Sequence, residues 1–174
     1  MTIGEREAVR LVGDGLILRE WRDADVPLMT ALFDDPAIAF RTPLPSPFDL
    51  AAAQAYLERA RRTAEIGERV QLAITRDGEE PLGEVLLSRS YRSLGYAIGP
   101  AHRGQGLASR ALRLLTEYAH RDAGISRVVL EIEPDNEASA GVAKAAGYVL
   151  TDMPPSLVSD KGRSYTLLTW EHRR

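Results

Sequence analysis

Gly99-Pro100-Ala101-His102-Arg103-Gly104-Gln105-Gly106-Leu107-Ala108-Ser109 is the stretch on which the fold turns. It follows a strand-like segment, residues 94–98, and opens an apolar-periodic helix. The first N–H groups of a helix have no partner inside it, and the helix dipole adds partial positive charge there. Phosphate groups bind at such an end. Gly104 and Gly106 lack a β-carbon, so an anion can approach their backbone closely. The run reads first as a phosphate cradle for a cofactor and only second as a surface turn.

Outward from this loop, the elements follow from spacing and breakers. Residues 16–19 form a first strand after the Gly13-Asp14-Gly15 turn. A helix starts at Asp23 or Asp25, either of which can cap it, and stops before Pro36. Residues 42–47 are too proline-rich for a helix or a central strand. A second helix spans residues 49–66, with Gly67 as its stop. Residues 70–75, 82–88 and 94–98 make a three-strand meander. The helix after the loop carries Leu107, Ala111, Leu114, Leu115 and Tyr118 on one side, and Gly124 ends it. Residues 127–133 alternate as a strand, and Pro134-Asp135-Asn136 breaks it and begins a short helix to Ala146. Two last strands fit residues 148–158 and 165–170. The result is an α/β chain with a mixed sheet, antiparallel except where the strand–helix–strand unit of residues 94–133 pairs in parallel.

The 174 residues suffice for one domain, expected to span 1–174 with residues 1–12 as a loosely ordered leader. A formal charge of -3, with bases balanced by acids, argues against a nucleic-acid partner. No apolar run approaches the roughly 20 residues needed to cross a bilayer, so no membrane partner is expected. Residues 1–10 lack the apolar stretch of a signal peptide. The absence of cysteine excludes disulfides, thiolate catalysis and zinc–thiolate sites, and fits a cytoplasmic location. His102, His120 and His172 lie far apart in sequence, match no metal-ligand spacing and read as surface residues; no metal is expected.

Tyr96-Ala97-Ile98-Gly99-Pro100, followed by Arg103-x-x-Gly106-x-Ala108, resembles the acetyl-CoA signature Q/R-x-x-G-x-G/A of the GNAT superfamily of N-acetyltransferases. Asn136-Glu137-Ala138-Ser139 through Ala146-Gly147-Tyr148 resembles the same family's asparagine-to-Gly-aromatic block. Leu16-Ile17-Leu18-Arg19 and the C-terminal strand–Asp-x-Gly-Arg–strand hairpin resemble the branch that acetylates N-termini of ribosomal proteins. The resemblance implies a GNAT-like fold: a mostly antiparallel sheet of about six to seven strands, helices on both faces, and a splay between the fourth and fifth strands. It implies acetyl-CoA as cosubstrate, held by Tyr96, Ala97, Ile98, Arg103, Gly104, Gln105, Gly106, Leu107, Ala108, Ser109 and Asn136. It also implies a primary-amine acceptor, either a small molecule or a protein N-terminus. Oligomeric state stays open, a homodimer included.

Acetyl transfer to nitrogen needs a neutral amine, so a base must remove a proton from an acceptor of pKa ~8–10. Glu131, five residues before Asn136, is the favoured carboxylate by resemblance, and Glu84 is the second candidate. Ser139 matches a serine used as proton donor in the ribosomal branch. The tyrosine that many relatives use instead, seven residues after the asparagine, is here Ala143. Arg103 reads as a cation beside phosphates, and Asn136 reads also as a helix cap. Trp21, Phe40 and Tyr56 line either the acceptor pocket or the core. Asp34, Asp35 and Asp49 would suit a cationic acceptor. Two other readings stand beside this one. A non-catalytic CoA-binding sensor would share the fold. A dinucleotide-binding oxidoreductase fits Gly104-x-Gly106 with Glu131 downstream, but Ser109 occupies the third glycine position and only one crossover unit is present.

Overall fold

Period-two alternation builds the sheet, and the computed structural model describes it over residues 6–174. In β3 (Arg69–Thr75), Val70, Leu72 and Ile74 face one core, while Ala73 joins another on the opposite face. β4 (Gly83–Ser88) and β5 (Ser93–Ile98) continue the expected antiparallel meander. β2 (Leu16–Glu20) pairs with β3 on the other side. Residues 1–5 of the expected leader lie outside the described residues. Its remainder corrects the expectation: β1 (Arg10–Gly13) pairs with β2, and Val9 and Leu11 pack on the core, which holds the segment in place.

After the loop, α4 (Leu107–Arg121) crosses to β6 (Arg127–Ile132), which pairs antiparallel with β9 (Arg163–Arg173). The segment expected as one strand over residues 148–158 is two. β7 (Val149–Leu150) and β8 (Ser156–Asp160) both pair with β9, separated by Met153-Pro154-Pro155, where prolines offer no N–H to a ladder. The order is β1-β2-β3-β4-β5-β6-β9-β7 with β8 on β9, nine strands among the described residues rather than six to seven.

α4 and α5 (Glu137–Ala145) cover the face lined by Val70, Leu72 and Ile74. The other face carries α1 (Val26–Phe33), α2 (Pro36–Arg41) and α3 (Leu50–Glu65) around Phe33, Phe48 and Tyr56. The sequence reading did not foresee α2; Pro36 sits at its start, where a missing N–H costs nothing. His120 also departs from the surface reading. It is buried on α4, and its Nε2 lies 2.9 Å from His172 Nδ1 on β9.

One break in the sheet positions the site. β5 and β6 are joined by a single parallel bridge, Ser93 to Val129, beside a bond from Val129 N to Arg92 O of 2.9 Å. Past it, residues 94–98 pair with β4 only, so the middle of the sheet is open there. This is the splay expected between the fourth and fifth strands, now β5 and β6.

Candidate active site

The loop takes the conformation its glycines permit. Gly104 (φ +76°) and Gly106 (φ +69°) are left-handed, and Gly106, the N-cap of α4, has no side chain to cap the first N–H groups. A β-carbon on Gly104 would meet nothing within 4 Å, so glycine is needed for its backbone and leaves that side open. Residues 103–106 are exposed, whereas Leu107 and Ala108 are buried and anchor the first helical turn. The Ser109 hydroxyl donates to Gly106 O at 3.2 Å. This exposed helix entrance, with its unpaired N–H donors, fits a diphosphate. Two side chains of the loop also engage protein groups. The Arg103 guanidinium turns to Asp35 Oδ2 at 2.7 Å, which holds that carboxyl below its usual range. The Gln105 amide oxygen accepts a bond from Arg76, a residue the sequence reading had not singled out.

Tyr96, Ala97 and Ile98 lie along the unpaired side of β5. The Tyr96 hydroxyl donates to Ser139 O at 3.4 Å, so the first turn of α5 sits across the opening from β5. Burial raises the Tyr96 phenol pKa. Asn136 caps α5, its Oδ1 accepting from Ser139 N at 3.2 Å. Asn136→Ala therefore lowers stability by about 1 kcal/mol, read by chemical denaturation, whatever it also does to ligand binding. Ala143 is fully buried in the main core and presents no polar atom to the opening.

The two candidate carboxylates stand in contrasting places. Glu131 is exposed on β6 opposite Thr169. Glu84 lies on β4 opposite Ala97 of β5, the strand that borders the opening, and is 4% exposed. Trp21 Nε1 donates to Glu84 Oε2 at 2.7 Å, the Tyr56 hydroxyl donates to Oε1, and Gln71 Nε2 donates to the Tyr56 hydroxyl at 2.9 Å. Burial pushes the Glu84 carboxyl up to about 7, against the downward pull of those two donors and of Arg69 and Arg59. Burial and the neighbouring Glu84 push the Tyr56 phenol well up. Trp21 and Tyr56 are thus core residues whose polar ends hold the carboxylate. In the sequence, Glu84 is the single charged residue of the apolar segment 82–88. β4 lies mid-sheet with helices over both faces, so a charged residue within it has no solvated side.

The rim is stitched shut at one end. Arg163 grips Glu133 at 2.6 and 3.0 Å, and Arg41 reaches Glu133 at 2.9 Å. Both guanidinium groups hold the Glu133 carboxyl below its usual range. The Lys161 ammonium donates to Ala39 O and Thr42 O at the end of α2, tying the β8–β9 hairpin to that helix. Phe40 is exposed beneath the Arg163 guanidinium, 3.8 Å from ring centre. The acids expected to attract a cationic acceptor bond backbone N–H groups, and Asp35 also pairs with Arg103. Asp35 caps α2, Asp49 caps α3, and Asp34 accepts from Phe48 N at 3.0 Å.

The site therefore combines a glycine-formed helix entrance with unpaired N–H donors, a strand edge unpaired beyond Ser93, and a buried carboxylate of near-neutral pKa on the next strand. Among the described residues no group of acids and histidines could hold a metal ion, and no helix is long and apolar enough to cross a membrane. The family model described as "Acetyltransferase (GNAT) domain" matches residues 15–149. Microcin C7 self-immunity acetyltransferase MccE, solved with acetyl-CoA and AMP, superposes at TM-score 0.79, 19% identical, covering 93% of this chain and 94% of its own. Mycobacterium smegmatis RimJ, solved with CoA-disulfide, gives TM-score 0.79 at 18% identity over 95% of this chain and 86% of its own. The ribosomal-protein-S5-alanine acetyltransferase of Vibrio fischeri gives TM-score 0.79 at 16% identity over 95% and 96%. Among curated sequences, "Probable N-acetyltransferase YjcK" of Bacillus subtilis is 33% identical over 55 residues, 32% of this chain and 30% of that protein's length. The structural likenesses show the fold, and the family model spans most of the chain, including the loop and the opening: the chain belongs to the GNAT acetyltransferase family.

Proposed function

We propose that this chain is an acetyl-CoA-dependent N-acetyltransferase that moves acetyl directly to a primary amine, with Glu84 as the general base. The observation that carries the proposal is the buried Glu84 carboxyl, with a pKa of about 7, on the strand paired to the one that borders the opening. Acetyl-CoA supplies the thioester. The backbone N–H groups of residues 104–109 hold its diphosphate, and the β5 edge at Tyr96, Ala97 and Ile98 pairs with its amide-bearing arm. Asn136 and Ser139 border the arm from α5. A carboxylate with a pKa near 7 is ionised in roughly half the molecules at neutral pH and can still take a proton from an ammonium by way of water. Backbone N–H near Ile98 polarises the carbonyl; as the C–S bond breaks, the Ser139 hydroxyl gives its proton to the departing thiolate and regains one from the acylated nitrogen, which sheds its second proton. With no cysteine in the chain, an acyl-cysteine relay has no nucleophile, which favours a ternary complex.

Both a protein N-terminus and a small amine fit this reading, as does the resemblance to the ribosomal-protein branch. Thermal stabilisation by acetyl-CoA, combined with thiol release over a panel of amines and peptide N-termini, tests it. The expected result is stabilisation plus turnover on at least one acceptor. Binding without turnover would favour the sensor reading, and stabilisation by NAD but not CoA the oxidoreductase. Glu131→Gln changes the rate by no more than about threefold, because a solvated carboxylate offers little general-base advantage over water. A loss of the ionisation near pH 7 in that variant would return the role of base to Glu131.

A further inference from the structure

We infer that Arg110 is the positioning residue that sets the diphosphate loop in its binding conformation; the inference rests on the acetyl-CoA reading above. Arg110 lies in the first turn of α4, outside the glycine signature. Its guanidinium makes three bonds to backbone carbonyls: Nε to Gly106 O at 3.2 Å, Nη2 to Gln105 O at 3.0 Å, and Nη1 to Asp14 O at 3.0 Å. Two of these acceptors belong to the loop itself. In a planar trans peptide, C=O and the following N–H point in opposite directions. With the Gln105 and Gly106 carbonyls drawn onto Arg110, the N–H groups of Gly106 and Leu107 are turned to the other side. Those are donors that the helix leaves unsatisfied and a diphosphate would take up.

The third bond supplies the abutment. Asp14 sits in the β1–β2 turn, where Asp14 (φ 51°) and Gly15 (φ +72°) are both left-handed. Arg113 Nε adds a second tie to Asp14 Oδ2 at 3.3 Å. A β-carbon on Gly13 would fall 2.7 Å from Leu114 Cδ2, so this hairpin is seated closely on α4. The turn that introduces the first strand thus braces the cofactor loop. A guanidinium spans three carbonyls as a rigid fork; an ammonium at the same position keeps the charge but not that geometry.

Calorimetric titration with CoA tests this directly on the full chain. Arg110→Ala and Arg110→Lys both weaken CoA binding by roughly tenfold or more, the loss expected when donors to a charged group are misdirected. Turnover of S-acetylpantetheine, which lacks the phosphates, keeps its kcat/KM in both variants. Arg110→Lys retains the aliphatic stem and covers the case in which the alanine variant folds poorly. Unchanged CoA affinity in the variants, full rescue by lysine, or an equal loss with S-acetylpantetheine would each overturn the assignment. A native protein that binds no CoA at all would instead remove the reading on which it rests.

Discussion

Glu84→Gln lowers kcat/KM for amine acetylation by about 10²-fold or more, and removes the ionisation near pH 7 from the pH–rate profile. In the native protein the rate rises with pH through about 7, because the base acts only when ionised. Stability runs the other way. The folded pKa of about 7 lies above the ordinary value of 4.5, so the folded state retains a proton that the unfolded state releases. The contribution of this group is fully present below pH 4.5 and is lost as pH rises through about 7. Its loss amounts to something on the order of 3 kcal/mol. Glu84→Gln, which carries no charge, therefore gains in Tm relative to the native protein between pH 5 and pH 8. Stopped assays across pH and thermal unfolding at the same pH values read both effects. A variant with native activity, or one whose pH–rate profile keeps its inflection, would exclude Glu84 as the base.

The second large effect falls on stability. Arg19 and Asp25 form a bidentate pair at 2.7 and 2.9 Å, with each side chain 5% exposed. Arg19 also donates to Glu20 O, Gly78 O and Glu79 O, and Asp25 Oδ2 accepts from Arg22 N. Such a pair adds little over a packed apolar substitute, because desolvating two charges offsets most of their attraction. Breaking it is another matter. Asp25→Ala leaves a guanidinium buried without its counter-charge and costs about 3–5 kcal/mol, measured by denaturant unfolding. Arg19→Ala with Asp25→Ala is closer to the native protein than the two single losses summed, since neither charge is then stranded. A single-variant loss under about 1 kcal/mol would show that solvent reaches the pair.

Asp25 also shows how sequence and tertiary structure divide the work. Read along the chain, it is a helix cap ahead of an apolar run. In the fold, its side chain does not cap α1 and instead serves a strand residue six positions earlier. Asp35 and Asp49 remain the local caps that such residues usually are. The same contrast separates Glu131 from Glu84. Position before Asn136 singled out Glu131, yet burial, which sets a carboxylate's pKa, singles out Glu84. Burial depends on which strands end up central, and Glu84 is reached by Trp21 and Tyr56 from 63 and 28 residues away.

The chain by itself determined every helix but α2 and most of its strands, the single parallel crossover, the glycine-formed helix entrance and the capping role of Asn136. Each follows from interactions within a few residues, where spacing, turn chemistry and unpaired helix donors act locally. Only the tertiary structure decided that residues 10–13 join the sheet, that Arg103 turns to Asp35 while Arg110 bonds the loop carbonyls, and that Glu84 is buried against Trp21 and Tyr56. Those outcomes are set by desolvation and by contacts between distant segments, which no local pattern encodes.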